Sequence, residues 1–97
     1  MIASTTPDPL VRHRLVMATP GVWPVWPFLP VVRRTNGEEE LGVLYDALHA
    51  CGLPGYSATV FLTCLFTLPP ARDQFLALPK EVFDSVEEMT AAGWRVD

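Results

Sequence analysis

Apolar residues recur in this chain with two different spacings. Three consecutive triplets, Val22-Trp23-Pro24, Val25-Trp26-Pro27 and Phe28-Leu29-Pro30, put proline at every third position. Polyproline II has three residues per turn, so the period predicts an extended rod about 28 Å long at roughly 3.1 Å per residue. Its three ridges would all be apolar, and something must cover them, either the rest of the chain or a partner.

Elsewhere the spacing is nearer two. Val11, His13, Leu15 and Met17 alternate imperfectly with Arg12, Arg14 and Val16, which predicts a short edge strand over residues 11–18. Val31 to Arg34 and Leu41 to Asp46 flank Asn36-Gly37, a pair that supplies the positive φ angles of a tight hairpin. Arg33 and Arg34 then face Glu38, Glu39 and Glu40 across that hairpin, and each opposite-charge pair adds roughly 0.2 to 1 kcal/mol. Residues 57–66, mostly β-branched or aromatic from Thr59 on, predict a longer strand that is apolar on both faces. Such a strand is central and covered twice, by helices on one side and by the rod on the other.

Gly52, Pro54 and Gly55 make residues 47–56 a loop. A short helix is expected from Pro70 to Leu78 with Phe75, Leu76 and Leu78 inward, and extended chain from Lys80 to Phe83. Asp84-Ser85-Val86-Glu87-Glu88 offers a capping box in two registers, Asp84 with Glu87 or Ser85 with Glu88, ahead of a helix over 85–92. Gly93 is placed to end it, Trp94 to fold back on Met89, and residues 94–96 to form a last strand. These elements predict an α+β fold, a small twisted antiparallel sheet of three to four strands with one or two short helices on one face and a proline-rich extended segment. Residues 1–10, polar and bearing Pro7 and Pro9, read as a flexible leader, and 11–97 as a single domain.

Composition adjusts this picture in three ways. Ten prolines in 97 residues are about twice the usual share, and four of them fall between Pro20 and Pro30. The net charge of −4 conceals a basic front, since Arg12, Arg14, Arg33 and Arg34 oppose only Asp8 up to Thr35, leaving +3 there and −7 beyond. The two parts either face each other or await an anionic partner. Cys51 and Cys64, in a chain that begins without the pattern of a secretory leader, read as reduced thiols in a cytoplasmic protein. No apolar run reaches membrane-spanning length.

Chemistry-bearing residues are few. His49 and Cys51 sit two apart, with Cys64 and His13 elsewhere, which is not the paired spacing of a structural zinc site. His49, oriented by Asp46, with Cys51 or Cys64 as nucleophile would need side-chain contacts that no local motif encodes. The acids cluster in a turn and at a helix start, and no glycine-rich phosphate loop is present. Neither an enzyme, a metal nor a cofactor is therefore expected.

What remains is binding. The sequence predicts a non-enzymatic interaction or subunit-type protein that engages a protein partner or a second copy through residues 22–30, anchored by Trp23, Trp26, Phe28 and Leu29. The alternative is a single-stranded nucleic-acid module in which the aromatics stack on bases and Arg12, Arg14, Arg33 and Arg34 contact phosphate. No membrane partner is expected, because no basic amphipathic helix accompanies the tryptophans.

Overall fold

The computed structural model describes residues 9–97. The predicted leader lies almost wholly outside the described residues. The described chain forms one antiparallel sheet of five strands, β1 (Phe28–Thr35), β2 (Glu38–Tyr45), β3 (Thr59–Phe61), β4 (Lys80–Val82) and β5 (Trp94–Val96), in the order β4-β3-β2-β1-β5. Four short helices accompany it, α1 (Pro9–Ala18), α2 (Ala47–Cys51), α3 (Arg72–Leu76) and α4 (Val86–Ala91). The α+β class stands, with five strands in place of three to four.

The hairpin forms as its sequence requires. Asn36 and Gly37 take φ values of 52° and 80°, and the pairs Thr35–Glu38, Arg34–Glu39 and Arg33–Glu40 follow in register. Pro30 sits inside β1 at little cost. Its carbonyl accepts from the Asp97 N–H, so its nitrogen faces the same edge, where β5 has ended and no ladder donor is needed.

Side-chain alternation sends Leu29, Val31 and Arg33 to one face of the sheet and Phe28, Pro30 and Val32 to the other. On the first face Leu29, Val31, Leu44, Val60 and Trp94 pack with Met17 of α1 and Met89 of α4. On the second, Val43, Tyr45 and Phe61 pack with Phe75 of α3 and Ala47 of α2. Helices thus cover both faces, not one. Phe75 is the hub of the second layer, with its ring 4.3 Å from Phe61, 5.2 Å from Tyr45 and 5.4 Å from Phe28.

Four further sequence expectations need correcting. Residues 11–18 are helical, because Leu10, His13, Arg14 and Met17 recur at helical spacing and form the inner side of α1. Two of those inner positions are polar: Arg14 Nε donates to Thr90 Oγ1 at 2.8 Å, and His13 Nδ1 accepts from the Val96 N–H at 2.9 Å. Polar groups satisfied inside the fold erase the apolar stripe that identifies a helix.

The proline-bearing triplets do not form a continuous rod either. Residues 20–22 make one 3₁₀ turn, the Trp26–Pro27 bond is cis, Val25 bridges to Phe28, and Phe28 to Pro30 belong to β1. Pairing with Tyr45 to Val43 of β2 claims the third triplet for the sheet, which overrides its polyproline tendency.

The strand expected over 57–66 stops at Phe61. Leu62 donates to the Pro79 carbonyl at 2.8 Å, but Pro79 has no N–H to return, and Thr63 N–H turns back to the Phe61 carbonyl. The second cover of β3 is accordingly α3 with the 62–78 segment. Finally, residues 47–51 of the expected loop are α2, with Asp46 as N-cap and Gly52 left-handed at φ 73° as its stop.

The helix starting at Val86 uses the Ser85–Glu88 register: Ser85 Oγ accepts from Glu88 N–H at 3.2 Å, while the Glu88 carboxylate reaches back to Asp84 N–H at 2.9 Å. Gly93 takes φ 104°, and Trp94 joins Met89 in the core as the local pattern predicts.

Candidate functional site

The turn from Val22 to Phe28 distributes its aromatics unequally. Trp23 is buried, with Nε1–H donating to the Val16 carbonyl at 2.6 Å, and so staples the turn to the end of α1. Leu29 is core. Phe28 is half-buried and stacks on Tyr45 at 5.2 Å between ring centres. Of the four anchors expected from sequence, Trp26 alone is largely open, 49% exposed, with Val22 and Val25 also exposed beside it. Its Nε1–H nevertheless donates to Asp46 Oδ2 at 2.8 Å, which fixes the ring.

Asp46 is the pivot of this region. It follows β2 directly, caps α2 and is 7% exposed. Both its oxygens lie 3.0 Å from His49 Nδ1, and it also accepts from the His49 backbone N–H. Burial alone would raise its carboxyl, but the hydrogen bonds from Trp26 and from the ring and backbone of His49 together outweigh that and hold it below the ordinary carboxylate range. A nitrogen facing an ionised carboxylate must carry hydrogen, so His49 directs Nδ1–H at Asp46 and leaves Nε2 outside that pair.

Beside this pair lies a cavity of about 360 Å³. Its floor is Met17, Trp23 and Ala47; Leu53, Tyr56 and Val86 wall it, and Asp46, His49 and Ser57 bring polar atoms to it. The Tyr56 ring is held by stacking on Phe61. Sequence reading placed Asp46 at a strand end and paired it with His49, but missed the cap and the cavity. The signal was present: Asp46 six residues before Gly52 is the spacing of an N-cap and a C-terminal stop around a short helix.

The thiols are placed elsewhere. Cys51 Sγ donates to the Ala47 carbonyl at 3.2 Å and accepts from the Tyr45 hydroxyl, and neither cysteine hydrogen-bonds to His49. Cys64 lies in the 62–67 loop, where the Thr67 hydroxyl draws its thiol below the ordinary range. Both cysteines are free. Among the described residues no three His, Cys, Asp or Glu side chains gather as metal ligands, and no helix is long and apolar enough to cross a membrane.

Three of the four arginines expected to meet phosphate are engaged within the fold. Arg33 binds Glu40 and, from a distant strand, Glu81, at 2.9 and 2.7 Å, and lies 4.5 Å over the Trp94 ring. The Glu81 and Glu40 hydrogen bonds raise its pKa further, and Arg33 in turn lowers that of Glu81. Arg34 pairs with Glu39 on the opposite face. Arg14 is held by Thr90, and Arg12 is exposed on α1. The basic front of the chain thus meets its own acidic remainder at Arg33 and Arg34. A separate apolar feature is Phe66, 97% exposed on the loop after β3, next to a groove of about 250 Å³ that includes Leu41 and Pro30.

No protein-family model matches this chain, and neither a curated protein sequence nor a solved structure does.

Proposed function

We propose that this chain works by binding rather than by catalysis, engaging a protein partner or a second copy of itself through the turn from Val22 to Trp26. The observation that carries this reading is Trp26. A tryptophan left half in water offers a large apolar area, and one tied by its indole N–H to a buried carboxylate loses little freedom on contact. Val22 and Val25 extend the same apolar surface, whereas Trp23, Phe28 and Leu29 serve the fold.

The nucleic-acid alternative draws less support. Its stacking set reduces to Trp26, and Arg33 and Arg34 are already neutralised by glutamates on opposite faces.

Sedimentation across a concentration series tests self-association, and affinity capture tests a different partner. Trp26→Arg is expected to abolish whichever association the wild type makes, while Val82→Arg, at an exposed position on the edge strand β4, leaves it intact. Associations that survive Trp26→Arg would refute the assignment.

A further inference from the structure

We propose that the cavity between the end of α1, α2, the 53–57 loop and the start of α4 binds a small uncharged molecule that combines an apolar ring with a hydroxyl group. Its volume of about 360 Å³ falls at the lower end of the range of small-molecule sites, which are mostly apolar with a few convergent polar groups. The floor and walls here are of that kind. Met17, Trp23, Leu53 and Val86 supply apolar contact, and Tyr56 supplies an aromatic face fixed by Phe61.

Charge selects the ligand class. Among the described residues no lysine or arginine lines the cavity, so an anion finds no counter-ion there. The one carboxylate among the described lining residues, Asp46, already accepts from Trp26, the His49 ring and the His49 backbone, so a cation is not called for. Three polar groups at the rim have no hydrogen-bond partner within the described protein: His49 Nε2, the Tyr56 hydroxyl and the Ser57 hydroxyl. With Nδ1–H held by Asp46, a neutral His49 presents Nε2 as an acceptor in a fixed direction. A ligand O–H donates to it, and its oxygen accepts from Tyr56 or Ser57. The buried aspartate is the positioning residue that keeps the imidazole in this tautomer.

The test titrates the full chain, isotopically labelled, with benzyl alcohol, toluene and benzoate, following amide resonances. Benzyl alcohol is expected to give saturable shifts at His49, Leu53, Tyr56 and Val86, and to bind about three- to tenfold more tightly than toluene, the ratio that one neutral hydrogen bond provides. His49→Ala, at an exposed ring, is expected to bring the two affinities together while the hairpin resonances stay in place. Tyr56→Phe, which removes only the hydroxyl, should reduce the preference in part. Equal affinity for toluene in the wild type, tighter binding of benzoate, absence of saturation at millimolar probe, or shifts that map to the Phe66 groove would each overturn the proposal.

Discussion

Gly42 carries more of the core than its size suggests. It sits on β2 opposite Val31, on the face that Trp94 covers, and a Cβ there would lie 2.5 Å from Val60 Cγ1 and 3.0 Å from the Trp94 ring. Neither neighbour can yield easily, because Val60 and Trp94 are fully buried and Val60 is β-branched. Trp94 is further held by its Nε1–H to Glu81 and by Arg33 above it. Gly42→Ala is therefore expected to lower stability by about 1 to 3 kcal/mol, the usual cost of overpacking, read as a lower urea midpoint at unchanged slope. A midpoint within error of wild type would mean that the strand shifts without penalty. Nothing in the local sequence marks Gly42, since a glycine within a strand pattern reads as a bulge or a weak point until the ring that needs the space is known.

Secondary structure was legible wherever a short-range rule governs it. The Asn36-Gly37 turn, the Ser85 cap with Glu88 and the Gly93 stop each depend on residues within four positions of one another. Apart from α2, whose local Asp46 cap and Gly52 stop were passed over, the elements that were misread depend on distant partners. The inner face of α1 is polar because Thr90 and Val96 satisfy Arg14 and His13, and β3 is short because Pro79 lies opposite Leu62. The Trp/Pro segment was misread for the same reason. Instead of one ridge of tryptophans in a common environment, the fold buries Trp23 and Trp94 and leaves Trp26 half open. Acrylamide is thus expected to quench only a fraction of the tryptophan emission, and Trp26→Phe to remove that fraction; uniform quenching of all three would contradict the fold of this turn. The candidate site was legible only as a pairing of Asp46 with His49. The cavity beside it is assembled from four segments and has no local trace.

The hairpin permits a sharper comparison at the same scale. Arg33 and Arg34 are neighbours with equal formal charge, and each faces a glutamate across β2. Arg34–Glu39 is exposed at both ends, so Arg34→Ala is expected to cost under about 0.5 kcal/mol. Arg33 is mostly shielded, bonds two carboxylates and lies over Trp94, and its loss leaves Glu81 partly buried without its cation. Arg33→Ala should cost roughly 2 kcal/mol, the scale of losing charge-assisted hydrogen bonds. Thermal or urea denaturation of the two variants side by side decides it, and equal costs would show that the Arg33 network adds nothing to the hairpin.

Across the whole molecule, two carboxylates join elements that are remote in sequence, and both are held below their ordinary titration range. Glu81 ties β4 to β1 and β5, chiefly through the Arg33 hydrogen bond, and Asp46 ties α2 to the Trp/Pro turn through Trp26 and His49. In both cases the folded-state pKa lies below the unfolded one. The associated stability is therefore complete above the unfolded values, about 4.3 for glutamate and 3.9 for aspartate, where both states are ionised. Below those values the unfolded chain takes up protons first. The stabilisation then falls with pH until the folded carboxyls are protonated as well. Arg33 stays charged throughout, so the Glu81 link is lost from the acid side only. Urea midpoints are expected to show no pH dependence from these groups between pH 5 and 7, where their contribution is full, and a decline below about pH 4. Glu81→Gln and Asp46→Asn should each flatten that decline, and the double variant should flatten it by the sum, because the two groups share no hydrogen-bond partner. An acid slope in the double variant as steep as in the wild type would assign acid sensitivity to other carboxyls. It would also leave the Asp46 contacts, and with them the fixed Trp26 and His49, without the stabilising role assigned to them.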